Sequence, residues 1–109
     1  MTVYSKIQAF RGDTIKIPFV GTKTDGSTLL IQLRQTPESS TYFDLELVDG
    51  EIIIPSETSR TLDQTTYIVE VEELTALNEY NTLQHTSLII KLDTARDYGT
   101  PGNGWSSDD

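Results

Sequence analysis

From Thr66 to Glu72 the chain alternates without interruption, with Tyr67, Val69 and Val71 on one side of an extended backbone and Ile68, Glu70 and Glu72 on the other. A period of two, apolar on one face and acidic on the other, belongs to a strand that covers a core and meets water on its back. The segment 66–74 is therefore expected to be the central strand.

The same period recurs along the chain. Residues 3–10 read as a first strand with Val3, Ile7 and Ala9 on one face, and Arg11-Gly12-Asp13 turns it. Ile15, Ile17 and Phe19 against Lys16 and Pro18 mark a second strand, at a sheet edge because Pro18 has no N–H to give to a ladder. After an Asp25-Gly26 turn, Leu29, Ile31 and Leu33 mark a third. Phe43, Leu45 and Leu47 alternate with Asp44 and Glu46 in a fourth. Asp49-Gly50 separates it from Ile52-Ile53-Ile54, and Asp-Gly between two such runs predicts a hairpin, because both central turn positions favour positive φ. A polar connection follows, with one helical turn expected over 56–59. Beyond the central strand, 75–82 reads as a loop and 87–93 as the last strand. Seven short strands spaced by turn signals predict an all-β, antiparallel β-sandwich over residues 1–93.

From residue 94 to 109 the apolar pattern stops, and the Gly/Ser/Asp-containing segment is expected to be an extended C-terminal tail. Trp105 has nothing local to pack against there. It is the expected anchor of a contact arm, with Tyr98 and Pro101 beside it.

Composition narrows the chemistry. At 109 residues the chain is one domain, able to fold without metal or disulfide, and it contains no cysteine. The N-terminal residues lack the apolar core of a signal peptide, and no apolar run approaches the ~18 residues of a membrane span. A net charge of −9 argues against the phosphate backbone of nucleic acid as partner. The charge is uneven. Residues 1–23 carry Lys6, Arg11, Lys16 and Lys23 against one acid, Asp13, a net +3 that leaves −12 on the rest. A basic N-terminal hairpin is expected to dock on an acidic neighbour, or on the acidic region of another copy.

No catalytic constellation stands out. His85 is the single histidine, set among Asn81, Thr82, Gln84 and Thr86, and reads as a surface residue where the last strand begins. No GxSxG segment or phosphate-binding glycine loop accompanies it. Glu70, Glu72 and Glu73 offer oxygens to Ca²⁺, but without a D-x-D-x-D-G loop a solvated acidic face is the better reading. The chain is expected to be no enzyme and to need no cofactor.

Two resemblances add to this. Leu62, Asp63, Thr65 and Tyr67 fall where immunoglobulin-like domains place a Leu, an Asp, a small residue and the tyrosine of the tyrosine corner, with Val69 at the position of the antibody cysteine. The order of elements over residues 8–93, from Phe10-Arg11-Gly12-Asp13-Thr14-Ile15-Lys16-Ile17-Pro18-Phe19 through Ile31-Gln32-Leu33-Arg34 to Tyr67-Ile68-Val69-Glu70-Val71, resembles small immunoglobulin-like domains of tailed-phage structural proteins. The N-terminal domain of phage upper baseplate proteins, with related head and tail accessories, is the nearest such group. Where that family often has a Leu-Thr-Gly step, this chain has Gly26-Ser27-Thr28-Leu29. The resemblance implies an immunoglobulin-like sandwich in a virion, made in the host cytoplasm and partnered by capsid or tail subunits or by its own copies. A capsid decoration or small adaptor is the expected role. The alternative is a carbohydrate-binding sandwich using Tyr42, Tyr80 or Trp105 as stacking platforms for host or surface adhesion.

Overall fold

The structure is a computed structural model that describes residues 2–36 and 38–92. Along the chain run β1 (Val3–Phe10), β2 (Ile15–Pro18), β3 (Thr28–Arg34), β4 (Phe43–Asp44), β5 (Glu46–Val48), β6 (Glu51–Ile54), α1 (Ser56–Ser59), β7 (Thr66–Leu74) and β8 (Tyr80–Lys91). Five strands form one sheet in the order β1-β8-β7-β3-β4, and three form a second in the order β2-β6-β5. As expected, β7 is central, and as its alternation requires it turns Tyr67, Val69 and Val71 inward.

Between the sheets Ile15, Ile17, Ile52 and Ile54 meet Leu33, Val69, Leu88 and Ile90 in one core. Burying each such side chain is worth about 1.5–3 kcal/mol, so this dry layer holds the two sheets together. At the Asp49-Gly50 hairpin both residues take positive φ, +51° and +80°, which matches the twist of the β5–β6 pair. Pro18 sits on β2, an edge strand of the smaller sheet. The short helix falls on 56–59. It is tied to the β1–β2 turn by two bonds of 2.7 Å, Gly12 N–H donating to Ser59 Oγ and Ser56 Oγ donating to Gly12 O.

The chain forms an immunoglobulin-like β-sandwich, with the tyrosine corner in place: Asp63 N–H donates to Tyr67 Oη at 2.8 Å. Leu62 and Val69 are buried on either side of it in sequence.

Three details differ from the sequence expectation. Residues 1–23 do not make a hairpin: β1 pairs in parallel with β8, and the chain then crosses to the other sheet, where β2 pairs with β6. An apolar pattern shows that two strands share a core, but not which sheet each joins. The expected fourth strand is two. Its β4 half pairs with β3 and its β5 half with β6, and Leu45 N–H at the crossing donates to Ile31 O at 2.9 Å. The last strand begins at Tyr80, not residue 87. A register shift opposite Val71/Glu72 leaves Leu83 and Gln84 both buried, so the polar half of β8 lost its alternation and read as loop. The tail and its anchors Tyr98, Pro101 and Trp105 lie outside the described residues.

Gln84 is a buried polar bridge between the sheets. Its Oε1 accepts from Val20 N–H at 2.9 Å, and its Nε2 donates to Pro18 O at 3.0 Å and to Thr86 Oγ1 at 3.1 Å. Gln84→Leu keeps the bulk but strands the two backbone groups at the end of β2. Chemical denaturation is expected to show a loss of about 1–3 kcal/mol with an unchanged m-value.

Candidate interaction surfaces

The three neighbouring acids part company in the fold. Glu70 and Glu72 share the outer face of the five-stranded sheet with their cross-strand partners Gln32 and Leu30. Glu73 continues the inward row of Tyr67, Val69 and Val71 and is 2% exposed. Four donors fill its carboxylate. Oε1 accepts from Thr24 N–H at 2.8 Å and Ser27 Oγ at 3.0 Å, and Oε2 from Thr24 Oγ1 at 2.9 Å and Asn81 Nδ2 at 3.0 Å. These bonds, led by the Thr24 N–H and opposed by desolvation, hold the Glu73 pKa down at about 2 against an ordinary 4.5. With its lone pairs engaged, Glu73 closes the 21–27 loop onto the end of the sandwich and has no oxygen left for a cation. Among the described residues no group of three or more His, Cys, Asp or Glu is placed to hold a metal ion.

Across the outer face of the larger sheet a single row of cross-strand neighbours runs Tyr4, His85, Glu70, Gln32, Asp44. His85 lies in the middle of β8, not at its start, because the strand extends back to Tyr80. Its Nδ1 is 3.3 Å from Glu70 Oε2, and its ring is 5.6 Å from that of Tyr4. At the far end Arg34 lies over the Tyr42 ring, 4.3 Å from its centroid, and donates to Gln32 Oε1 at 2.7 Å and to Ser39 O. Arg34 thereby fastens the 38–40 segment to the sheet.

The exposed apolar side chains are gathered on the sides of the sandwich. Because β1 runs into β2 and β4 into β5, each pair of edge strands forms one lateral edge. One edge shows Tyr42, Phe43, Leu47 and Val48; the other shows Tyr4, Phe10 and Val20. Together these are seven of the ten exposed large apolar residues among those described, and all seven lie on or next to the strands that end the sheets, Tyr4 and Phe10 on the outer face of β1 and Val48 on the outer face of β5. Phe43 and Leu47 pair with the buried Leu33 and Ile52 and face the core side, but their strands end the sheets and leave them exposed.

The basic residues follow the same geometry without forming the expected hairpin. Lys6 stands on the outer face of β1 and Lys16 on the outer face of β2, on opposite sheets but flanking the same lateral edge. Arg11 lies in the turn between them, and Lys23 is in the 21–27 loop, where Nζ donates to Thr24 O at 3.3 Å. The stacking platforms are dispersed too. Tyr42 adjoins β4, whereas Tyr80 opens β8 opposite Leu74, at the other end of β3.

Burial of Gln84, Thr86 and Ser59 left no mark in the sequence, since each is polar and has a partner distant in the chain. For Glu73 the parity of β7 was an available signal: it keeps phase with Tyr67, Val69 and Val71.

A folded pKa below the unfolded value means that the ionised Glu73 stabilises the fold fully above about pH 4.5, and that this contribution is lost as pH falls toward about 2. Thermal melts from pH 7 to pH 2.5 should show a falling midpoint over that window. Glu73→Gln should lower the midpoint at pH 7 and flatten the acid limb, and an unchanged acid limb would assign it to other carboxylates.

No protein-family model matches the chain, and no curated protein matches it. Its backbone is similar to the solution structure of the first immunoglobulin-like domain of the human CD48 antigen, with 11% sequence identity, a TM-score of 0.48, and coverage of 94% of this chain and 90% of that one.

Proposed function

We propose that the chain is a non-enzymatic structural subunit of a bacteriophage virion, an accessory sandwich that docks on a larger lattice as a capsid decoration or small head or tail adaptor. The observation that carries the docking role is the concentration of exposed apolar side chains along the lateral edges. Such side chains are available to a partner without cost to the core, and edge strands add backbone groups that a partner can pair. The virion setting is supported by the resemblance of residues 8–93 to small domains of tailed-phage structural proteins. Capsid or tail subunits and further copies of this chain are the partners of this reading, and the tail at 94–109 is a second contact element.

A hollow at the Glu73 end of the sandwich supports carbohydrate binding as a second reading. It encloses about 720 Å³ and places Tyr80 beside Asn81, Thr22 and Thr82, a flat ring next to neutral polar groups. Glycan-array binding that is lost in Tyr80→Ala would favour that reading over docking.

Immunogold labelling of particles released from cells that express the protein natively tests the first reading. Gold on heads identifies a decoration and gold at the tail or neck an adaptor, whereas particles without gold and free protein in the supernatant would refute a virion role. Val48→Asp, on an open edge, is expected to reduce the protein's occupancy on particles at least about tenfold, as loss of an apolar interface contact does. Its circular dichroism should be unchanged.

A further inference from the structure

The two lateral edges are unlike in charge as well as exposed. On the β4–β5 side the apolar residues are interspersed with Asp44, Glu46 and Asp49; on the β1–β2 side they are flanked by Lys6 and Lys16. The cross-strand register sharpens the contrast. In the smaller sheet Lys16 and Glu46 both pair with Ile53, so they terminate one and the same row, basic at one end and acidic at the other. In the larger sheet the row that begins at Tyr4 ends at Asp44. A neighbour placed side by side along these rows therefore brings Lys16 next to Glu46, and the Tyr4 and Lys6 region of β1 next to Asp44.

We infer that the partner of each lateral edge is the opposite edge of a second copy of this chain, joined head to tail. This rests on the docking reading above and names its partner. Apolar side chains add to charge: Leu47 and Val48 are exposed on the acidic edge strand, and Tyr4 and Phe10 are exposed on β1 at the opposite edge. The net charge of −9 repels copies at long range, so attraction is confined to the facing edges, where acid meets base. On β2, Pro18 offers no N–H, and the contact there is made by side chains instead of a continued ladder. Because the surfaces are different, the contact is heterologous: each copy added leaves one edge of each kind free, giving a ring or an open row.

Sedimentation velocity on the full chain, up to about 1 mM protein to reach the weakest affinities, is the test. The average mass should rise with concentration beyond a dimer. Lys16→Glu and Glu46→Lys, each exposed and each replacing an attraction with a like-charge pair, should separately weaken association about tenfold or more. An equimolar mixture of the two should restore it, since each variant then meets a complementary edge on the other. Lys23→Glu and Glu79→Lys, matched in net charge but away from the edges, should leave association unchanged. A monomer at every concentration, a mass that stops at a dimer, or variants that fail to rescue each other would overturn the inference. Virion docking is read separately, since a strictly monomeric chain that still labels particles would leave that reading standing.

Discussion

The ladder that places β7 between β8 and β3 is the constraint on which the rest of the structure depends. It satisfies the backbone of β7 on both edges, and in doing so fixes Tyr67, Val69 and Val71 as a single inward row. A sheet with such a row is unstable until something covers it. Ile15, Ile17, Ile52 and Ile54 of the smaller sheet are the cover, and their own strands gain a place only because that row exists. The tyrosine corner then pins the approach to β7, so the strand enters the sheet in one register.

Apolar burial alone leaves the ends of the sandwich loose, and there buried polar side chains take over. Gln84 collects the backbone groups where the chain leaves β2. Glu73 collects a backbone amide, two hydroxyls and an amide side chain, and so fixes the 21–27 loop. Ser56 and Ser59 do the same for the β1–β2 turn at the other end. Each engages groups that would otherwise be buried without partners, which makes these few residues more consequential than their side-chain size suggests. The Glu73 cluster is the chemically most perturbed place described, yet its perturbation comes from being fully bonded. It reads as a fastening and not as a reactive site.

What remains open to other molecules is mainly the perimeter. The faces of the sandwich carry mosaics such as the Tyr4–His85–Glu70–Gln32–Asp44 row, in which neighbouring side chains engage one another, whereas most of the exposed large apolar groups among the described residues stand on or beside the edge strands. Closed barrels avoid such edges by joining them. Here the two crossings, at the β1–β2 turn and at Leu45, bring the sheets' edges together on each side without shielding them, and the opposite charge of the two sides gives the molecule a direction. The proposed docking role would use that kind of perimeter.

The sequence by itself determined the strands with clean alternation, the Asp49-Gly50 turn and the edge placement of β2, which rest on local physics: the period of two, the φ preference of Asp-Gly and the missing N–H of Pro18. The tyrosine corner was legible through the resemblance of residues 62–69 to immunoglobulin-like domains. Only the tertiary structure decided that β1 runs parallel to β8, that residues 43–48 serve two sheets, that β8 reaches back to Tyr80, and that Lys6 and Lys16 flank one side while Asp44 and Glu46 flank the other. These depend on which distant backbone or side chain arrives as partner, and alternation, which records only the face a residue turns to the core, carries no information about the strand beside it.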